Sequence, residues 1–65
     1  KKVPNLIGKY ESEARVIVPQ NGFKIGKPIY IRDGRYVKYH VVDQEPKPGE
    51  ELEEGGVITY TVNLQ

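Results

Sequence analysis

With ten basic and nine acidic side chains, the 65-residue chain has a net charge of only +1, which argues against nucleic acid as a partner because nucleic-acid-binding domains present a basic face. The absence of cysteine excludes a disulfide, and the single histidine, His40, leaves too few ligands for a structural zinc site. No apolar run approaches the roughly 20 residues needed to cross a bilayer, so we expect one small domain, residues 1–65, that does not itself enter a membrane and needs no metal or cofactor.

The first two elements predicted along the chain are a short extended segment and the only helix. Residues 3–8 are predicted to form a short extended segment that lies against the core. Pro4 excludes this segment from a central position in the sheet. An apolar face at helical spacing predicts a helix over residues 11–21. The residues on that face are Tyr10, Ala14, Ile17, Val18 and Asn21, of which only Asn21 is not apolar or aromatic. Pro19 removes one backbone hydrogen bond inside this span, so we expect a regular helix to about Val18 and then a kink or tight turn.

Three stretches are predicted to be β-strands, at residues 24–31, 36–44 and 57–63. The first has its apolar positions on one face, at Phe23, Ile25, Ile29 and Ile31. Pro28 marks an interruption or an edge in it, and Pro46 ends the second strand at a stiff corner. The third strand alternates most clearly and is expected to have one wet face. Its apolar positions are Ile58, Tyr60, Val62 and Leu64.

The turn between the first two strands predicts their register. A two-residue turn would put the isoleucines of the first strand on the opposite face from the apolar residues of the second. A three-residue turn at residues 32–34, with Gly34 left-handed in a bulge, pairs Ile29 with Val37 and makes the faces agree. We therefore predict an antiparallel hairpin in that register, and an α+β fold in which one α-helix packs on a three-stranded antiparallel sheet.

Two groups of side chains raise the possibility of catalysis or metal binding. Four glutamates within residues 50–54 lack the Asp-x-Asp-x-Asp-Gly spacing of a calcium loop, and a solvated loop accounts for them. His40 has the chemistry of a general base, but no serine or cysteine stands at a recognisable spacing from it. A surface or half-buried histidine is the simpler interpretation. We predict that the chain is not an enzyme.

A third group, of tyrosines close to arginines, is the best candidate for a binding surface. Tyr30, Tyr36 and Tyr39 lie near Arg32 and Arg35 in the sequence, and such side chains suit stacking or carboxylate binding. The plainer alternative makes Tyr39 a core residue and the other tyrosines strand-face residues, since sheets favour aromatics. We predict Arg32, Arg35 and Tyr36, at the end of the predicted hairpin, as ligand-binding residues.

Two runs of residues, one in each half of the chain, match the pattern of a known family. The first half has Val-Pro-Asn-Leu-Ile-Gly at residues 3–8, Ala14, and Gly-Phe-Lys-Ile-Gly at residues 22–26. The second half has Val-Val-Asp-Gln-Glu-Pro-Lys-Pro-Gly at residues 41–49, then Leu52, Gly55-Gly56 and Ile-Thr-Tyr-Thr-Val at residues 58–62. In order and spacing these motifs resemble the PASTA domain, a module found with penicillin-binding proteins and serine/threonine kinases. Tyr10 departs from the family, which usually has serine or threonine at this helix cap.

The resemblance implies an extracytoplasmic module of a membrane-anchored protein at the bacterial cell surface. The family is linked to recognition of peptidoglycan fragments, and some members contact β-lactams. No family motif transfers a binding residue to this chain, so the expected site depends on Arg32, Arg35 and Tyr36 alone. Because PASTA units often occur in tandem, the alternative is a structural spacer or interaction repeat that positions a neighbouring enzyme domain and whose partners are the adjacent domains.

Overall fold

One helix and one four-stranded sheet form the fold of the chain, of which the computed structural model describes all 65 residues. The elements are α1 (Glu11–Gln20), β1 (Lys24–Ile25), β2 (Ile29–Ile31), β3 (Val41–Glu45) and β4 (Val57–Asn63). The predicted α+β class with a single helix is confirmed, whereas the number and direction of the strands differ from the prediction. The one helix falls well short of the length and apolarity that a bilayer-spanning segment requires.

β4 is the central strand, and it pairs with each of the other three. β1 and β2 lie along one side of it and run parallel to it, with Lys24 opposite Val57 and Ile29 opposite Thr61. β3 lies along the other side and runs antiparallel, with Gln44 opposite Tyr60. β4 therefore provides the backbone hydrogen-bond partners of the whole sheet.

The predicted antiparallel hairpin between residues 24–31 and 36–44 is wrong, because these segments lie on opposite sides of β4. Ile29 lies opposite Thr61 rather than Val37, and Gly34 is not in the left-handed conformation. The nine residues 32–40 that join β2 to β3 are long enough to pass over the end of β4 instead of forming a tight turn. Residues 36–40 consequently form a loop rather than the start of a strand.

The interruption at Pro28 changes the face on which the following isoleucines lie. Ile25 is opposite Ile58 and Ile29 is opposite Thr61, so the edge strand has one residue more than β4 between these pairs. A shift of one residue moves every later side chain to the other face of a sheet. Ile29 therefore lies on the face away from the helix, 52% exposed, and the prediction of a single apolar face from Phe23 to Ile31 is wrong.

The hydrophobic core lies between α1 and the sheet. Its buried members are Val3, Leu6, Ala14, Val18, Phe23, Val41, Ile58, Tyr60 and Val62. β4 contributes every second residue to this core, as its alternation predicts. The helix contributes Ala14 and Val18, which lie one turn apart on its inner face. Asn63 is also buried, although the alternation predicts it on the wet face.

The helix begins without a capping side chain at Tyr10. The Glu13 carboxylate instead accepts a hydrogen bond of 3.1 Å from the backbone N–H of Tyr10, which satisfies one free donor of the first turn. At the other end Pro19 lies inside the helix, which ends one residue later at Gln20. Gly22 follows in the left-handed conformation, which glycine adopts without a steric cost.

The extended N-terminal segment is fixed to the sheet by the buried side chain of Gln44. Its Oε1 accepts a hydrogen bond of 2.7 Å from the backbone N–H of Leu6, and its Nε2 donates to the carbonyls of Pro4 and Pro46, both at 3.0 Å. A side-chain amide buried in this way is stabilising only because its donors and acceptor all have partners. Gln44 thereby holds residues 3–8 beside β3.

Replacing Ile58 or Val62 with alanine is expected to lower the free energy of unfolding by about 1–4 kcal/mol, because each change leaves a cavity in a small core. Val57→Ala is the matched control, since Val57 belongs to the same strand but is 52% exposed, and its effect should stay within about 0.5 kcal/mol. Urea unfolding followed by circular dichroism measures all three. Equal losses for Val57→Ala and Val62→Ala would contradict the proposed placement of the core.

Candidate ligand-binding site

The loop of residues 32–40 is held in place by the buried side chain of Asn63, the last residue of β4. Asn63 Oδ1 accepts a hydrogen bond of 2.8 Å from the backbone N–H of Asp33. Its Nδ2 donates to the carbonyls of Asp33 and Tyr36, at 2.8 and 2.9 Å, and lies 3.0 Å from the carbonyl of Gln65. One side chain therefore fixes the part of the loop that contains two of the three predicted site residues.

Arg32, Arg35 and Tyr36 are all exposed and all belong to this loop. Arg35 pairs with Asp33: its Nε lies 3.0 Å from Oδ1 and its Nη2 lies 2.7 Å from Oδ2. Arg32, in contrast, forms no ion pair within the chain. The guanidinium of Arg32 is thus free to take an anion, whereas that of Arg35 would first have to share or release Asp33.

An open groove of about 390 Å³ lies beside the loop. Its lining consists of Ile7, Gly8, Tyr36, Val37, His40, Val41 and Val42. Backbone hydrogen bonds hold its two sides together, because Gly8 N–H donates to Val41 O at 2.9 Å and Val41 N–H donates to Lys9 O at 2.8 Å. Tyr36 is the one predicted site residue that lines the groove, and the two arginines lie outside it.

Comparison with known proteins places this geometry in a family. The family model of the PASTA domain matches residues 1–63. The chain is a member of the PASTA domain family. Because the PASTA domain is a non-catalytic module, this membership confirms the prediction that the chain is not an enzyme.

Two solved structures from Staphylococcus aureus resemble this PASTA domain closely. One contains three PASTA domains of a Ser/Thr kinase, with 27% sequence identity and a TM-score of 0.85 over 95% of this chain. The other is the entire extracellular region of the Ser/Thr kinase PrkC, with 28% identity and a TM-score of 0.85 over 94% of this chain. The chain covers 31% of the first structure and 22% of the second. No curated protein matches its sequence.

In this PASTA domain, the pairing of Asp33 with Arg35 sets the charge of the loop. Hydrogen bonds from the Arg35 side chain, and then from its backbone N–H, lower the pKa of the Asp33 carboxyl to about 2. The carboxyl therefore stays ionised at neutral pH and compensates the charge of Arg35. The exposed guanidinium of Arg32 is the uncompensated positive charge of the predicted site.

Sequence reasoning missed the residues that shape the site. Asn63 looks like an ordinary wet-face residue in the alternation of β4, and nothing in the pattern shows that a loop crosses above it. The sequence does not reveal the groove, because its pattern predicts a strand at residues 36–40, where the structure has a loop. The alternative in which Tyr39 is a core residue is wrong, because its side chain is 52% exposed. His40 is half-buried, as one of the interpretations of the sequence has it.

The Asp33–Arg35 pair predicts a specific acid titration. The Asp33 carboxyl should titrate near pH 2 in the folded domain, and Arg35→Ala should move its pKa back toward the ordinary value of 3.8. Because the folded-state pKa lies below the unfolded one, the stability that this pair contributes is present above pH 4 and is lost as the pH falls from about 4 to about 2. NMR of the side-chain carboxyl carbons measures this directly.

The internal control for that titration is Asp43, whose pKa is lowered first by a hydrogen bond from Lys47. Its titration should be the same in the parent domain and in Arg35→Ala. An Asp33 midpoint at the ordinary value in the parent domain would show that Arg35 is not paired and is as free as Arg32.

Proposed function

We propose that this PASTA domain is an extracytoplasmic binding or sensing module for peptidoglycan fragments, within a bacterial membrane-anchored kinase or penicillin-binding protein. Family membership supports the module, and the similarity to the extracellular region of PrkC supports the kinase context. The single observation that supports binding is the loop fixed by Asn63, which carries the unpaired guanidinium of Arg32 and places Tyr36 in the lining of an apolar groove.

The chemistry of this surface suits the peptide part of such a fragment, which offers carboxylates and amides. A guanidinium is a planar fork that takes a carboxylate through two parallel hydrogen bonds. Arg32 supplies that fork, and Tyr36 supplies a ring in the same loop. Arg35 contributes a second positive charge, partly compensated by Asp33. Since little surface is buried and exposed side chains must be ordered, we expect a dissociation constant on the order of 0.1–1 mM.

A second candidate function, that of a structural spacer, is favoured by the positions of the two chain ends. The amino group of Lys1 lies 3.0 Å from the Glu51 carboxylate, in the region that leads into β4. Gln65 follows the opposite end of β4, where its backbone contacts the Asn63 side chain. The domain is elongated, 34 by 18 by 16 Å. Neighbouring repeats attached at both ends would therefore extend away from each other.

An NMR titration of the labelled domain with a purified muropeptide tests the binding function. We expect amide shifts concentrated at residues 32–36, and we expect both Arg32→Ala and Arg35→Ala to abolish them with the fold intact. Arg32→Ala removes the guanidinium that is unpaired in the free domain, and Arg35→Ala removes the one that is paired with Asp33. Lys27→Ala is the matched control, as it removes an exposed positive charge from the distant connection between β1 and β2.

The possible outcomes separate the two functions. No shift anywhere at millimolar muropeptide would contradict binding and favour the spacer. Shifts confined to residues 50–56 would retain a binding module and reject Arg32, Arg35 and Tyr36 as its site.

A further inference from the structure

Tyr39 is held in a backbone conformation that costs energy. It is the one residue other than glycine with a positive φ, 66°, a region that bulky side chains rarely occupy. Two backbone hydrogen bonds impose it: Tyr39 N–H donates to Asn63 O at 2.6 Å, and Glu11 N–H donates to Tyr39 O at 3.0 Å. The strain does not serve the core, because the ring is 52% exposed. It places an aromatic side chain on the surface.

Tyr10 reaches the same surface at a second local cost. It occupies the N-cap position of α1, where serine, threonine, asparagine or aspartate would accept a hydrogen bond from the first turn, and it makes no such cap. Its side chain is 51% exposed, and its ring packs on His40 with centroids 4.1 Å apart. Two independent departures from the locally favoured residue therefore bring exposed rings together. Such departures are expected where a residue is retained for function.

The Tyr10–His40 pair separates two open grooves. The groove of about 390 Å³ lies on the His40 side, with Tyr36 as its second aromatic ring. A groove of about 280 Å³ lies on the Tyr10 side and is lined by Tyr10, Glu11, Ser12 and Tyr39. Each groove is thus bounded by two aromatic side chains, and the two adjoin across the single pair of Tyr10 and His40 rings, which are tilted by 43°. Ligand sites in proteins have volumes of about 300–1,000 Å³, and the two adjoining grooves together fall within that range.

We propose that the aromatic surface formed by Tyr10, Tyr36, Tyr39 and His40 binds a neutral, linear oligosaccharide, with one sugar ring in each groove. This inference rests on the proposed function and assigns the glycan part of the ligand to a surface that shares Tyr36 with the proposed carboxylate site but includes neither Arg32 nor Arg35. A sugar ring has apolar C–H faces that lie flat on an aromatic ring and hydroxyl groups at its edge. Two adjoining grooves, each bounded by such rings, fit a chain of linked sugars rather than one isolated ring.

The side chains that line the grooves favour a neutral ligand; the nearby Lys38 Nζ lies over one face of the Tyr39 ring, 5.0 Å from its centroid, and leaves the other face to a ligand. The larger groove has no acidic or basic side chain in its lining other than His40. In the smaller one, the Glu11 carboxylate already accepts hydrogen bonds from Tyr30 at 2.7 Å and from Arg15 at 3.1 Å. A folded protein partner fits less well, because a specific interface takes about 20–30 residues from each side, whereas the two grooves are lined by seven and four residues.

Polar groups are available for the sugar hydroxyls. His40 Nδ1 lies 2.9 Å from the carbonyl of Lys38, and because a carbonyl only accepts, this nitrogen bears the proton in that contact. Nε2 of the neutral ring is then left as an acceptor. The tyrosine hydroxyls that bond to Glu11 are those of Tyr30 and Tyr60, whereas those of Tyr39 and Ser12, which line the smaller groove, can donate to or accept from a ligand.

The test uses a peptide-free tetramer of β-1,4-linked N-acetylglucosamine in an NMR titration, which also gives the dissociation constant. We expect amide shifts at Tyr10, Tyr39 and His40, and a loss of affinity of about three- to tenfold on removal of either tyrosine ring. Tyr39→Gly should at the same time raise the thermal midpoint, because glycine tolerates a positive φ. Tyr10→Ser should leave the midpoint unchanged or raise it, because serine supplies the missing cap.

Ile29→Ala is the matched control, since Ile29 has the same exposed fraction as Tyr39, 52%, on the other face of the sheet. It should bind the tetramer as the parent does. The inference is overturned if the tetramer causes no shifts, if Tyr39→Gly binds it unchanged, or if Tyr39→Gly lowers the thermal midpoint and so shows a structural role. If a muropeptide still shifts residues 32–36 in that case, the proposed function stands without this surface. If neither probe binds, both fail.

Discussion

Every strand of this PASTA domain depends on hydrogen bonds to β4. The strand pairs in parallel with β1 and β2 on one side and antiparallel with β3 on the other. It also supplies three fully buried core residues from one face. The chain has no cysteine for a disulfide and no cluster of side chains suited to a metal ion. A domain of 65 residues must therefore be stabilised by its strand pairing and its core. Because one central strand forms backbone hydrogen bonds with strands on both of its sides, the sheet is a single cooperative unit.

Two buried side-chain amides extend this order from the sheet to the loops. Gln44 of β3 binds the backbone of Leu6, next to Ile7, and Asn63 of β4 binds the backbone of Asp33 and Tyr36. Ile7 and Tyr36 line the same groove, so each side of it is anchored to the sheet by one amide. No buried side-chain polar atom lacks a hydrogen-bond partner, which is the condition under which buried polar groups rigidify a structure. The groove is therefore a preformed feature of the fold.

The sequence predicts those parts of the structure that depend on local periodicity. The helix and the alternation of β4 both follow from it, whereas the grouping of Arg32, Arg35 and Tyr36 was predicted only from their closeness along the chain. The partner of a strand does not, because an alternating strand has the same pattern whether its neighbour is parallel or antiparallel. The hairpin prediction failed for this reason, whereas the face assigned to Ile29 is wrong because the interruption at Pro28 adds one residue to the edge strand. Nor does alternation show that Asn63 lies beneath a crossing loop, because that loop's path is set by the pairing of β2 and β3 with β4.

The unfolding free energy of Asn63→Asp tests most directly whether this one amide holds the loop. The substitution keeps the size of the side chain but turns its N–H donors into a carboxylate oxygen that faces the carbonyls of Asp33 and Tyr36. We expect a loss of about 3 kcal/mol, since a buried charge is left among acceptors, and faster hydrogen exchange at residues 33–36. Asn5→Asp is the control, because the exposed Asn5 side chain acts only as an acceptor toward Ile7 N–H. An Asn63→Asp variant as stable as Asn5→Asp, with unchanged exchange in the loop, would contradict the account.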